Sequence, residues 1–284
     1  MDKSTSEIGY KFCVSLDGSK YSEFGLDLTS LELFKKENDL LMAVHVKHLN
    51  QKSLPFNLQC ENISSYATSK LVGKFMKDKY YVILQEPDKT YTHPLNQIHD
   101  YCVKNNVDYL IVGFHGTTEN KKKDDITSGI MYLIKQIHIP CIIVKEFIPR
   151  DKKKNKGYVW LACIDTHLSR GWKALLKSFP LMKEEDELIC LHLTSNDNEK
   201  KLVETEFYKL CKEFNIKKNK MNLAPFNSKQ SIAQQIIEQV NFCDDAPDFI
   251  VLGHNSQKYD INSINQTPCV EIIRKAYTNI VFHS

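Results

Sequence analysis

Arginine is nearly missing from this chain: of 38 basic residues only Arg150, Arg170 and Arg274 are arginines, and the rest are lysines. Arginine is the side chain that most often reads base edges and grips phosphate through two parallel bonds, so its scarcity argues against sequence-specific DNA binding. The 35 acidic residues leave a formal charge of +3, too small over 284 residues to imply a polyanionic partner. None of the nine cysteines forms a C-x-x-C pair, so no zinc knuckle can be read, and their odd number and scatter give no disulfide framework. A reducing, cytoplasmic home is the expectation. No stretch approaches the ~18 to 20 apolar residues that cross a bilayer, and residues 1–9 lack an apolar leader core. Neither membrane insertion nor secretion is therefore expected. Also missing are a Walker loop, a nucleophile with an aligned base and a metal-ligand set, so the expectation is no enzyme, no catalytic residue and no metal.

What remains is ordinary globular material. Hydrophobic residues make up 42% and charged residues 26%, and at about 150 residues per domain the length suggests two domains with a core each. Cys13, Cys141, Cys163 and Cys190 lie inside apolar runs, where a thiol serves as a small core side chain.

The two halves repeat. Tyr10 to Asp17 (YKFCVSLD) matches Tyr158 to Asp165 (YVWLACID) at an offset of 148. Asp39 to His45 (DLLMAVH) matches Asp186 to His192 (DELICLH) at 147, and Asp108 to Gly113 (DYLIVG) matches Asp248 to Gly253 (DFIVLG) at 140. Between the copies lies the charged run Arg150 to Lys156 (RDKKKNK), which reads as an exposed, mobile connector. The expected domains are 9–149 and 157–284, with 150–156 as linker. Within each copy, short Val/Ile/Leu runs alternate with segments of helical period, the pattern of buried parallel strands with crossover helices. Strands are expected at 11–16, 40–46, 80–84, 109–113 and 141–145, then at 158–164, 187–193, 220–223, 249–253 and 280–283. The first helix should start near Ser19 or Ser22 and bury Phe24, Leu28 and Leu31. The last helix of the first copy should bury Ile130, Leu133, Ile134 and Ile137, and the first of the second copy Trp172, Leu175, Leu176 and Phe179. Segments 50–65 and 85–93 are turn-rich and unassigned. The fold class is α/β: two tandem, doubly wound, five-stranded parallel-sheet domains.

These residues carry a resemblance. Val14-Ser15-Leu16-Asp17-Gly18-Ser19 resembles the strand-turn-helix opening of universal stress protein domains, and Met42-Ala43-Val44-His45-Val46 resembles their second strand. Gly113-Phe114-His115-Gly116, then Thr127-Ser128, then Ile139-Pro140-Cys141-Ile142-Ile143-Val144, resemble the family's G-x-x-G, nine-residue spacer, G-S/T signature and closing strand. The resemblance spans nearly the whole chain. It implies the strand order 3-2-1-4-5 of the adenine-nucleotide-hydrolase-like Rossmannoid folds, and an ATP or AMP site in the first copy. In such a sheet the ligand sits outside the carboxyl ends of the strands where their order reverses. Asp17 would accept from ribose or adenine, and the Val46 main chain resembles the family's adenine contact. Gly113 and Gly116 would let loop amides approach phosphate, Ser128 would add a hydroxyl at a helix start, and His115 stands where the family often has a basic residue. Each has a structural alternative: Asp17 as a cap, the glycines as a tight turn, His115 and Lys121 to Lys123 as loop surface. His45 and His192 read as partly buried, hydrogen-bonded histidines.

Departures from the pattern accompany the matches. Counted to Thr127, the spacer after Gly116 is ten residues, with Thr127 in the glycine's place and Ile130 where a second hydroxyl is usual. In the second copy Gly253-His254-Asn255-Ser256 and Gln266-Thr267 lose two glycines, only Asp165 survives, and an empty crevice is expected there. Two functional classes follow: a nucleotide-binding regulatory module, or a structural and interaction subunit to which nucleotide is irrelevant. Protein partners are expected in both. Family members pair through their last strands, which implies an internal pseudo-dimer.

Overall fold

A computed structural model of the chain describes residues 9–49, 53–116, 126–150, 156–164, 171–241, 246–253 and 267–283. Two compact units emerge, Met1–Leu133 with Cys141–Pro149 and Ile134–Pro140 with Arg150–Ser284. The first contains strands β1 (Lys11–Ser15), β2 (Leu40–Val46), β3 (Tyr80–Gln85), β4 (Tyr109–Gly113) and β5 (Cys141–Val144). Its helices are α1 (Lys20–Leu28), α2 (Cys60–Leu71) and α3 (Pro94–Lys104), and α4 (Ser128–Gln136) begins in it, its last three residues being counted with the second unit. The strands pair in parallel in the order β3-β2-β1-β4-β5. The second unit contains β6 (Val159–Ile164), β7 (Glu187–Leu193), β8 (Lys218–Ala224), β9 (Phe249–Gly253) and β10 (Asn279–His283), with α5 (Gly171–Ser178), α6 (Asp197–Glu213), α7 (Ile232–Asn241) and α8 (Pro268–Lys275). Its parallel order is β8-β7-β6-β9-β10, the same topology again.

Central strands with helices on both faces must be apolar throughout, and β1, β2, β4 and β5 are buried along almost their whole lengths. The repeat extends to individual contacts. Asp108 Oδ2 accepts the Lys11 amide at 2.8 Å, and Asp248 Oδ2 accepts the Val159 amide at 2.8 Å, so one carboxylate pins the first strand of each unit to the fourth. Phe12 stacks on Tyr109 at 5.4 Å, as Trp160 stacks on Phe249 at 4.2 Å, each across that same strand pair. Burial pushes the Cys141, Cys163 and Cys190 thiols up, Cys163 to about 12. Cys163 is half-buried, whereas Cys13, Cys141 and Cys190 have no exposed surface.

Four sequence expectations need correction. Leu31 is 43% exposed and Phe24 half-buried, because α1 runs into a π-helical turn, Thr29–Leu33, in which the Phe34 amide donates to Thr29 O five residues back at 2.9 Å. The wider turn rotates the later positions, so that Leu33 enters the core instead. In α5, Trp172 and Leu175 are buried and Leu176 is exposed, and Phe179, buried as expected, opens the 3-10 turn Phe179–Leu181 that follows the helix. Segment 50–65 contains a 3-10 turn, Phe56–Leu58, and the start of α2. The buried face of that helix is Cys60, Ile63, Ala67 and Leu71, a helical spacing disguised by two small side chains.

The fourth concerns Arg150, expected to be exposed at the start of the linker. It is buried, with the plane of its guanidinium over the Tyr158 ring at 4.0 Å. Nε and Nη2 donate to the two oxygens of Asp186 at 2.8 and 2.5 Å. The same carboxylate accepts the Tyr158 amide, the Lys183 amide and Trp160 Nε1. Residues 151–155 lie outside the described residues.

Candidate functional site

The carboxyl ends of β1, β2 and β4 open onto a cavity of about 550 Å³ in the first unit. Its floor begins where β1 gives way to α1. Asp17 leaves the strand, and its Oδ1 accepts the Ser19 amide at 3.0 Å, bending the chain toward the helix. Gly18 makes that bend at φ +78°, a left-handed conformation unfavourable to other residues, with the Asn57 carbonyl 2.9 Å from where a Cβ would stand. Ser19 caps α1 by accepting the Ser22 amide at 3.2 Å, and its hydroxyl donates to the His115 carbonyl at 3.2 Å, which ties the β1–α1 turn to the loop after β4.

Capping therefore falls to Ser19, and the second carboxylate oxygen of Asp17 faces the glycine loop. A Cβ on Gly116 would stand 3.1 Å from Asp17 Oδ2. Gly113 answers a different need: its Cβ would stand 2.8 Å from the Ser22 nitrogen and the Tyr21 carbonyl carbon, so α1 can approach the end of β4 only because the side chain is absent.

Of the seven expected site residues, Asp17, Val46, Gly113, Gly116, Thr127 and Ser128 all line this cavity. His115 does not. Its ring lies edge-on to Tyr21 at 5.3 Å and against Phe114 at 4.3 Å, and its carbonyl serves the turn. Thr127 has a role that sequence comparison misread. Its hydroxyl accepts the Ile130 amide at 3.3 Å and its carbonyl the Met131 amide at 3.0 Å, so it is the N-cap of α4. Thr267 caps α8 in the same way, accepting the Val270 amide at 3.4 Å. Thr127 lies 14 residues after Gly113, as Thr267 does after Gly253. The spacer is thus the usual nine residues, 117–125, Thr127 is the capping hydroxyl and Ile126 stands in the glycine's place. Residues 121–123, 165 and 254–256 lie outside the described residues.

Basic and apolar walls that sequence reading missed complete the cavity: His45, Lys47, His48 and His93, with Leu54, Leu58 and Ile98. Lys47 is ion-paired with Glu86, which raises its pKa. His93 caps α3, its Nδ1 accepting the Leu95 amide at 3.1 Å, and its ring fills the space beside Gly129, where a Cβ would stand 2.5 Å from Cε1. The only sequence signal for His93 was a polar residue before Pro94 at a helix start. Burial lowers the pKa of His45. Among the described residues no cluster of His, Cys, Asp or Glu is arranged to hold a metal ion, and no helix is long and apolar enough to cross a membrane.

The residues present fit a nucleotide on three counts. The cradle beside Asp17 Oδ2 depends on the missing side chain of Gly116, the carboxylate retains an oxygen for a ligand donor, and the amide end of α4 opens onto the same space.

No family model matches this chain, and no curated protein matches it by sequence. Solved structures do match. A universal stress protein from Archaeoglobus fulgidus DSM 4304 aligns over 96% of this chain and 98% of its own at 14% identity, with a TM-score of 0.60. A putative universal stress protein from Pseudomonas aeruginosa UCBPP-PA14 aligns over 96% and 92% at 10% identity, TM-score 0.58. The cytoplasmic domain of a prokaryotic cation chloride cotransporter aligns over 97% and 95% at 12% identity, TM-score 0.52. Matched over nearly all of both chains and agreeing with the doubled 3-2-1-4-5 topology, the chain carries the universal stress protein fold.

Proposed function

We propose that the chain is a non-catalytic regulatory module whose first unit binds an adenine nucleotide, ATP or AMP, in the cavity at the ends of β1, β2 and β4. The observation that carries this reading is the convergence of Asp17, Gly116 and the capped start of α4 on one space of about 550 Å³. Asp17 would accept from ribose or adenine hydroxyl and amine groups, and the Val46 main chain would meet the base. Gly116 keeps the loop close to Asp17 without filling the space between them, and the α4 amides with Ser128 would meet phosphate. Binding would shift stability and the choice of protein partner, and the site of action would be the cytoplasm.

The test is thermal and calorimetric titration of the full chain with AMP, ATP and GTP. Ligand at 100 times its dissociation constant should add about 2.7 kcal/mol of stability. Absence of any shift at millimolar adenine nucleotide would leave the second reading, a scaffold or interaction subunit. Two features favour that second reading: Gly113 is fully accounted for by helix packing, and Ile126 occupies the signature's glycine position. The same fold also occurs in the cytoplasmic domain of a cotransporter. Pairing of the units through Cys141–Lys145 and Ile280–His283 is proposed on the family resemblance alone. A scattering profile of two independently tumbling lobes would count against it.

A further inference from the structure

The third strand of each unit lies at the end of the strand order, and the two units dress that edge differently. In the second unit the edge is β8, whose sequence KNKMNLA sets Lys218, Asn219, Lys220 and Asn222 along the strand. Lysines on an edge oppose pairing with another chain, because their charges would have to be brought together or buried. In the first unit the edge is β3, whose sequence YYVILQ has five apolar residues in a row and no charge. Tyr81 is 49% exposed and Leu84 36%, and Val72 and Met76, in the connection from α2, are exposed as well.

Hydrogen bonding fixes which groups of β3 face outward. The Lys79 carbonyl accepts the Leu41 amide at 3.0 Å, and the Gln85 carbonyl accepts the Lys47 amide at 2.9 Å. Both point to β2, and because the direction of N–H and C=O alternates from residue to residue along a strand, those of Tyr81 and Ile83 point there too. Tyr80, Val82 and Leu84 therefore present their amides and carbonyls to the other side, where no strand pairs with them among the described residues.

We propose that β3 is a docking edge for β3 of a second copy of this chain, paired antiparallel about a twofold axis through Val82. In that register the outward groups of Tyr80, Val82 and Leu84 meet those of the partner's Leu84, Val82 and Tyr80, so each donor finds an acceptor. Tyr80 stands opposite the partner's Leu84 and Tyr81 opposite the partner's Ile83, aromatic against aliphatic pairs that stabilise a ladder. The flanks are complementary in charge. Lys74, Lys77, Asp78 and Lys79 before β3 sum to +2, Glu86, Asp88 and Lys89 after it sum to −1, and antiparallel pairing sets one flank beside the other. Asp78 comes opposite the partner's Glu86, a carboxylate that Lys47 of its own chain already pairs. One such edge per chain closes the assembly at two copies.

The test is sedimentation equilibrium of the full chain at micromolar to submillimolar concentration, with hydrogen exchange on the same samples. Mass should rise with concentration from one chain to two, and the amides of Tyr80, Val82 and Leu84 should become protected in step with it. Val82→Pro removes an amide that faces away from β2, so the ladder within the unit keeps its bonds, and association should weaken about tenfold or more. Leu84→Lys charges the same edge without altering the backbone; it should act likewise, and it decides alone should Val82→Pro fail to fold. Leu202→Lys, at an exposed apolar position on α6, should leave association unchanged. A chain that stays monomeric overturns the proposal, as does assembly that grows past two copies. So does a pair that survives the edge substitutions in folded chains, or one that Leu202→Lys weakens equally.

Discussion

Asp186 shows how much can depend on one carboxylate. It accepts from Arg150, Trp160 and two backbone amides while almost completely buried, so its removal would take from a buried guanidinium the carboxylate that grips it at two points, with Glu185 Oε1 no nearer to Nε than 4.0 Å. Asp186→Asn should destabilise the chain by about 3 kcal/mol or more in denaturant unfolding. At Gly113 the obstacle is backbone, the Ser22 nitrogen and Tyr21 carbonyl carbon, whereas at Gly116 it is the movable end of Asp17. Gly113→Ala should therefore lower the melting temperature clearly, and Gly116→Ala should leave melting nearly unchanged while weakening AMP binding, as calorimetry would show. Both glycines were visible in the sequence as one motif, but their separate duties were not, since each is set by what approaches from elsewhere in the chain. His45 and His283 add a pH dependence. Burial lowers both from the ordinary value of 6.5, with Lys177, Lys173 and His138 also acting against a charge on His283. A depressed folded pKa means that the unfolded chain takes up protons first. Their contribution is present above about 6.5, is lost as pH falls from there toward the folded values, and levels off below them. Urea midpoints measured between pH 8 and 5 should decline over that interval, with a smaller decline in His45→Asn.

At the scale of the element, helix starts repay attention. Thr127 and Thr267 each present a hydroxyl to an amide three residues on, and Thr127→Ala or Thr267→Ala should each cost about 1 kcal/mol of stability by chemical denaturation. A larger loss at Thr127 in the presence of AMP than in its absence would mark its helix end as part of the binding site; equal losses would make it a cap alone. The inner strands were legible almost to the residue because a parallel strand covered on both faces must be a continuous apolar run, whereas the partly exposed β8 runs Lys218–Ala224 against an expected 220–223. Helices were less so. The π-helical turn after α1 moved Leu31 to the surface, and no local pattern announces an extra residue in a turn when the Thr29 hydroxyl bonds back to the Gly25 carbonyl. The face of α2 is built on Cys60 and Ala67, which look too small to mark a core stripe until a sheet lies beneath them.

At the scale of the whole chain, duplication provides an internal control. Asp39 and Asp186 do the same work at the start of the second strand in each unit: Asp39 accepts the Tyr10, Lys35 and Lys36 amides, and Asp186 accepts those of Tyr158 and Lys183. Only Asp186 also holds an arginine. Asp39→Asn should thus cost distinctly less than Asp186→Asn in the same unfolding experiment, and equal losses would show that the buried arginine contributes nothing. The amino-acid sequence by itself determined the doubled α/β architecture and most of the strands, because these follow from repeated runs of apolar residues, and six of the seven site residues implied by the family resemblance border the cavity. Only the tertiary structure decided that Arg150 is buried, that His115 turns onto Tyr21 and that Thr127 is a cap. Those outcomes depend on which side chain from a distant segment arrives at each position, and spacing along the chain carries no record of that.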